Sequence, residues 1–147
     1  MKRIILSTLV LAGMTLGMVG AYAEQRIAVV DVNAVVAKSA QVKSLKNEQQ
    51  AKMQELDKWL KTARADVEKQ QTQEGKDKLL KKYNADFEKK KAEITKNYQT
   101  KLQAIDKSIT ATIKEQAVAK GYNMVISKGV VVFGGDDITA DVQKVVK

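Results

Sequence analysis

Hydrophobic residues follow two different patterns along this chain, and the change between them predicts its elements. Residues 26–33, RIAVVDVN, form a short and mostly β-branched run, which predicts a strand followed by a helix N-cap at Asn33. From Ala34 onward the composition shifts to Lys, Gln, Glu, Ala and Leu, which favour or tolerate helix. We therefore expect one strand and then a long helical region.

A narrow apolar stripe runs through this helical region at spacings of three and four residues. Such a stripe is typical of a coiled-coil seam rather than of the wide apolar face of a globular helix. The stripe lapses at residues 70–77 and again at Lys90 and Lys91. Its members are Met53, Leu56, Leu60, Ala63, Val67, Leu80, Tyr83, Phe87, Ile94, Tyr98, Leu102, Ile105, Ile109 and Ile113.

The first lapse contains Gly75 and raises two alternatives. Two helices joined there would fold back as an antiparallel hairpin, whereas a tolerated glycine would leave one continuous rod. We favour the hairpin because strand patterns at both ends of the helical region need each other as partners. Each arm would then be roughly 50–65 Å long at about 1.5 Å per residue.

The pattern changes again after the helical region. Gly121 stands where a helix C′ residue is expected, with Lys120 in the last turn. Residues 122–127 and 130–133 are strand-like, and Lys128-Gly129 between them predicts a β-hairpin.

The last segment, GGDDITADVQKVVK, predicts a short amphipathic helix. Asp136 or Asp137 is placed to cap it after two glycines. One apolar face is formed by Ile138, Val142, Val145 and Val146. Its charges suit the helix dipole, with Asp141 near the start of the helix and Lys144 and Lys147 near its end.

The first 23 residues are typical of a secretory signal. Lys2 and Arg3 precede an apolar run over residues 4–20, and Ala21-Tyr22-Ala23 fits a cleavage site after Ala23. An uncleaved anchor is the alternative, although three glycines and three hydroxyl residues weaken the run as a membrane span. Cleavage would leave 124 of the 147 residues and lower the formal net charge from +9 to +7.

The composition excludes several chemistries. The chain has no cysteine and no histidine, so disulfides, thiolate sites and His-containing triads or metal sites are excluded. No GxxxxGK[ST] loop is present, which argues against nucleotide hydrolysis by that route. Asp31, Asp136 and Asp137 fit capping and turn positions better than a metal site or acid pair. We expect no catalytic site, no cofactor and no metal.

Outside the predicted arm, residues 41–120, only a small body remains. It comprises residues 24–40 and 121–147, 44 residues together. A core near that size rarely holds without disulfides, metal or partner chains, so we expect a homo-oligomer whose bodies share one core. The candidate body residues are Ile27, Val29, Val30, Val125, Ile126, Val131, Phe133, Ile138, Val142 and Val145.

Positive charge is concentrated on the second arm. Residues 76–101 contain nine lysines and four acidic residues, a local net charge of +5. These lysines form either a solvated helix surface with i,i+4 pairs such as Asp86–Lys90, or a basic surface that attracts acidic partners. The arm aromatics are either seam residues or contacts for unfolded chains. The candidate client-binding residues are Lys81, Lys82, Lys89, Lys90, Lys91, Tyr83 and Phe87.

The layout resembles the Skp/OmpH family of periplasmic chaperones. The resemblance rests on the signal peptide, the strand RIAVVDVNAVV, the lysine- and glutamine-rich helical pair and, most specifically, the ending DDITADVQKVVK. It implies an α+β fold in which a small β-body carries long helical hairpins, assembled as a jellyfish-shaped homotrimer. It also implies a periplasmic protein that holds unfolded outer-membrane proteins between its arms without ATP.

The resemblance leaves two other functions open. One is a structural coiled-coil adaptor of the cell envelope, and the other is a basic binder of anionic envelope polymers. Lipopolysaccharide or an anionic membrane surface is a further candidate partner. Nucleic acid is not expected, because the chain carries an export signal and no base-reading module.

Overall fold

The computed structural model describes residues 25–147, so the predicted cleavage site at Ala23 lies outside the described residues. The fold is mostly helical with one small sheet, which is an α+β arrangement. Its elements in chain order are β1 (Ile27–Val30), α1 (Val32–Lys38), α2 (Ala40–Glu68), α3 (Gln73–Ala119), β2 (Met124–Ser127), β3 (Asp136–Asp137) and α4 (Thr139–Val145). Within residues 25–147, no helix is both long and apolar enough to cross a membrane.

The sheet has the strand order β2-β1-β3, and both outer strands run parallel to β1. Parallel neighbours need a long crossover connection. Here α1, α2 and α3 together form the crossover between β1 and β2. The sheet therefore joins the two ends of the helical region at one place.

The β-hairpin expected from residues 122–133 does not form. Lys128–Val130 is a 3₁₀ turn, residues 131–135 are not in a strand, and β1 pairs with Asp136–Asp137 instead. Gly134 and Gly135 have φ angles of 88° and 85°, which bend the chain back toward β1. A Cβ on Gly135 would lie 2.5 Å from Val29 Cγ2, so the close approach of β3 requires glycine there.

The core of the body is built from residues of β1, α1, α4 and the end of α3. Ala28 and Val30 from β1, Val35 from α1 and Val142 from α4 are each 0% exposed. They form one cluster with Ile138 and with Ile109 and Ala117 from the last turns of α3. The base of the arm is therefore part of the body core.

The first helical segment is broken at Ser39. This residue is buried and extended, and its Oγ accepts a hydrogen bond from the backbone N–H of Val42 at 3.3 Å, so it caps α2. The N-cap of α1 is Asp31 rather than Asn33, because Asp31 Oδ1 accepts from the backbone N–H of Ala34 at 3.0 Å. The expected start of the helix was therefore two residues too late.

The two helices of the arm, α2 and α3, fold back on each other as an antiparallel hairpin. The chain leaves helix at Lys69–Thr72, and Thr72 caps α3 by accepting a hydrogen bond from the backbone N–H of Gly75 at 3.2 Å. Gly75 thus lies in the first turn of α3 rather than at the break. Tyr83 donates to Asp66 at 2.9 Å and Lys101 donates to Glu48 at 2.6 Å, so the pairing extends along the arm.

The seam between the arms follows the predicted stripe only in part. Leu56, Ala63 and Ile109 are buried as expected. Three other predicted members are about half exposed, namely Met53, Leu80 and Leu102. The apolar contact between α2 and α3 is therefore narrow and interrupted.

Arg26 fixes the body end of the arm. Its guanidinium donates to the carbonyl of Lys120 at 3.1 Å and lies 4.6 Å from the ring centroid of Tyr122. Gly121, with a φ of 76°, follows Lys120 as the predicted C′ residue. Arg26, next to β1, thus holds the turn that connects the end of α3 to β2.

Candidate functional site

The exposed lysines of α3 form a strip along the arm. At 100° per residue, Lys82, Lys89 and Lys96 fall on one face, opposite to the seam residues Tyr83, Phe87 and Ile94. All three lysines are exposed. We call Lys82, Lys89 and Lys96 the basic strip. A strip of this kind presents positive charge to solvent without disturbing the seam.

The other candidate lysines occupy different positions. Lys81 is exposed beside the basic strip, and Lys91 is exposed on the side nearer the seam. Lys90 reaches across to α2, where its Nζ lies 5.5 Å from the ring centroid of Trp59. The expected Asp86–Lys90 ion pair is not among the ion pairs of residues 25–147. Lys90 therefore belongs to the contact between the arms.

The aromatic side chains of the arm lie at the helix–helix contact and are half-buried. Trp59 and Tyr83 meet edge to face with ring centroids 5.6 Å apart. The hydrogen bond to Asp66, together with burial, raises the pKa of Tyr83. Tyr83 and Trp59 are therefore part of the contact between α2 and α3.

The body presents a different surface, made of exposed apolar side chains. Val132 and Phe133 are 102% and 97% exposed, and Val130 is 74% exposed. A separate apolar groove of about 420 Å³ lies between the end of α3 and β2, with Val118 and Met124 among its lining residues. Exposed apolar surface of this kind is a candidate for contact with another chain.

The ten candidate oligomer residues divide into two groups. Val29, Val30, Ile138 and Val142 are buried within a single chain, so they hold the protomer together. Others are partly or fully exposed and available for contact, namely Ile27, Val125, Ile126, Val131, Phe133 and Val145. Only the second group can meet another chain directly.

The three aspartates of the body have structural partners. The backbone N–H of Asp31 donates to Thr139 Oγ1 at 2.9 Å, and the Asp31 carboxylate caps α1. Asp136 accepts from the hydroxyl of Tyr122 at 3.0 Å. Lys128 and Thr139 hold the carboxylate of Asp137 and lower its pKa to about 2. These contacts tie the loop after β2 to α4.

No cluster suited to a metal ion is found within the part of the chain that the structure describes. Groups of three or more His, Cys, Asp or Glu side chains in suitable positions are absent from residues 25–147. The candidate site is therefore a set of surfaces: the basic strip, the arm contact and the apolar surface of the body.

Sequence reasoning missed two buried residues, one in the contact between α2 and α3 and one at the start of α2. Leu45 is buried in the seam, and Ser39 is buried at the break before α2. Continuing the three-and-four spacing backward from Leu56 reaches Lys52, Gln49 and Leu45, so the signal for Leu45 was present. This signal was masked because the two seam positions between Leu45 and Leu56 are occupied by the polar residues Gln49 and Lys52.

Comparison with known proteins adds one finding. Residues 26–146 match the family model described as "Outer membrane protein (OmpH-like)". The match begins one residue before β1 and ends one residue before the end of the chain. No curated protein matches the chain in sequence.

Proposed function

The chain belongs to the OmpH-like outer membrane protein family, and on that premise we propose that it is an ATP-independent periplasmic holding chaperone for unfolded outer-membrane proteins. Members of this family are periplasmic chaperones rather than enzymes, and they bind outer-membrane proteins. The finer proposal concerns how this chain would hold a client. It rests on the arm and body surfaces described above.

The observation that carries the proposal is the long arm with solvent-facing lysines. α2 and α3 are 29 and 47 residues long, and Lys82, Lys89 and Lys96 of α3 stand on a face that the seam does not use. Exposed charges act over a Debye length of roughly 8–10 Å and steer partners without a tight pocket. A holding chaperone needs many such contacts, because the client must stay mobile and leave again.

The body supports assembly into a homo-oligomer, for which we propose a trimer. Val132 and Phe133 have almost no contact with their own chain, and the apolar groove beside β2 is open. β2 is an edge strand, and such an edge is a template for pairing with another chain. When one surface of a protomer meets a different surface of its neighbour, a ring forms if the rotation between neighbours closes, and three subunits would close it in the proposed trimer. Each arm would then face a common space.

The basic strip also suits lipopolysaccharide or another anionic surface, which remains a prediction. Binding to such a ligand and binding to a client would both weaken with salt, because exposed charges are screened. They differ in what is held. Only the chaperone proposal requires that an unfolded polypeptide stay soluble.

The test is to dilute a urea-unfolded outer-membrane β-barrel into buffer with and without the protein, in the absence of nucleotide, and to follow light scattering. We expect scattering to fall as the protein concentration rises. Equal aggregation in both samples would contradict the proposal. Tight binding to one folded envelope protein without any effect on scattering would indicate a structural adaptor instead.

A further inference from the structure

The arm contains a cavity that the seam pattern explains. Between Leu45 and Leu56, α2 places Gln49 and Lys52 at seam positions, over about 16 Å of helix. α3 places Lys90 at the seam position between Phe87 and Ile94. Polar side chains thus stand where apolar side chains would fill the contact. An opening of about 280 Å³ lies between the helices at this level.

The lysines at these seam positions line the space but do not fill it. Lys52 forms an ion pair with Glu55 at 2.8 Å on its own helix. Lys90 lies over the ring of Trp59. Neither side chain therefore supplies the missing apolar layer, and the space stays open toward solvent. We call this space the arm cavity.

Five of the twelve residues that line the arm cavity are apolar or aromatic, and the other seven are polar or charged. Leu45 and Leu56 are buried on one side, and Ile94 lies on the other. Trp59 and Tyr98 supply two aromatic walls. Trp59 already makes an edge-to-face pair with Tyr83, and a ring that enters the cavity would compete with Lys90 for its other contacts.

The size of the arm cavity limits what it can hold. Small-molecule pockets usually measure about 300–1,000 Å³, so a space of about 280 Å³ is small. An apolar cavity of about 150 Å³ is enough to bind benzene. The arm cavity therefore suits one aromatic side chain with its first methylene group.

The charge at the mouth of the arm cavity is nearly balanced, in contrast to the basic chain. Glu48 is paired with Lys101 at 2.6 Å, and Lys52 is paired with Glu55. Lys90 and Glu93 are the remaining charged lining residues, one of each sign. A mouth of this kind does not favour an anion, so anionic ligands would go to the basic strip and neutral rings to the cavity.

We propose that the arm cavity is a binding site for single aromatic side chains of unfolded polypeptides. This inference rests on the proposed function and names a chemical class that the site takes. Unfolded chains expose phenylalanine, tyrosine and tryptophan side chains at intervals. A shallow, neutral cavity on each arm binds one such ring, while the basic strip attracts the rest of the client.

The site is tested with the peptides acetyl-Gly-Phe-Gly-amide and acetyl-Gly-Leu-Gly-amide on the whole protein. Trp59 is the only tryptophan in the chain, so its emission reports on the cavity wall. Methyl NMR shifts of Leu45 and Ile94 give a second reading. We expect saturable binding of the phenylalanine peptide, tighter than the leucine peptide by about two- to tenfold, which corresponds to about 0.5–1.5 kcal/mol for an aromatic pair.

Two variants fill the arm cavity. Lys52→Leu supplies the missing seam residue, and Gln49→Phe places a ring inside the space. Both should retain the helical circular dichroism and lose the response to the phenylalanine peptide. Lys61→Leu, which changes the same charge at an exposed position outside the cavity, should respond like the wild type.

Three results would count against the cavity site. No saturable response in the wild type, equal affinity for the two peptides, or an unchanged response in a folded cavity-filled variant would overturn the proposal. Light scattering with an unfolded barrel is measured on the same preparations. If the wild type prevents aggregation of the barrel but does not bind the peptide, only the cavity site is overturned. If the wild type does not prevent aggregation, the chaperone function itself is contradicted.

Discussion

The arm and the body differ in how much of their apolar surface each protomer buries by itself. The body buries Val30, Val35 and Val142 completely, yet it leaves Phe133 and Val132 almost fully exposed. The arm has few fully buried residues, and its exposed surface is mainly charged. Under the proposed function, the exposed apolar segment is the fixed contact with another chain, and the charged surface makes changing contacts with clients.

The largest expected effect comes from the body core. Val142→Asp would bury an unpaired carboxylate among Val30, Val35 and Ile138, and we expect a loss of more than about 4 kcal/mol, enough to unfold the body. Urea unfolding followed by circular dichroism measures it at fixed protein concentration. The matched variant Ala140→Asp, at an exposed position of the same helix, should be nearly neutral. Equal stability of the two variants would contradict the assigned core.

A smaller effect is expected along the arm, and it should depend on distance from the body. Ile109→Ala removes a residue that is 5% exposed and part of the body core cluster, so we expect a loss of about 2–5 kcal/mol. Leu102→Ala, two turns away and 46% exposed, should cost less than about 1 kcal/mol. The same unfolding experiment compares them. Similar losses would mean that the seam is uniform, against the structure.

The basic strip gives a prediction about function at unchanged stability. Lys82→Glu combined with Lys89→Glu reverses two exposed charges and leaves Lys90 on Trp59. We expect weaker client capture at low salt and little difference at high salt, because the attraction is screened. Light scattering at two salt concentrations measures it. Lys43→Glu combined with Lys46→Glu, on α2, changes the charge equally and serves as the control. Equal capture by both double variants would remove the strip as the cause.

The smallest effect concerns acid. Lys128 and Thr139 lower the pKa of Asp137 to about 2 in the folded protein. A carboxyl group with a lowered folded pKa stabilises the fold above its ordinary pKa of about 4, and this contribution is lost as pH falls toward 2. We expect the body to lose stability over that range. Asp137→Asn should remove this part of the pH dependence, and an identical pH profile in the variant would contradict the assignment.

Sequence reasoning predicted the elements better than their pairing. The strand at 27–30, the helix end at Gly121 and the final helix follow from local patterns of β-branched residues, glycine and apolar spacing. The partner of β1 could not be predicted this way. Residues 130–133 have the composition of a strand, but the parallel position beside β1 is taken by Asp136–Asp137, because Gly135 permits a close approach to Val29.

The candidate site shows the same division. The basic lysines are visible as composition, whereas their faces depend on where the seam runs. Lys90 looked like its neighbours Lys89 and Lys91, yet it lies at a seam position and reaches over Trp59. Val142 looked like an oligomer contact, yet it is buried within its own chain. In both cases the deciding fact is a contact between residues far apart in sequence.

The central claim is that the exposed apolar surface of the body joins several arms so that they hold a client together. The most direct test is light scattering of an unfolded β-barrel with the variant Val132→Ser combined with Phe133→Ser, whose oligomeric state is checked by sedimentation equilibrium. Both residues are exposed, so the protomer fold should persist. We predict that the variant dissociates and no longer prevents aggregation. A variant that dissociates but still holds the client as well as the wild type, or one that stays assembled, would contradict the account.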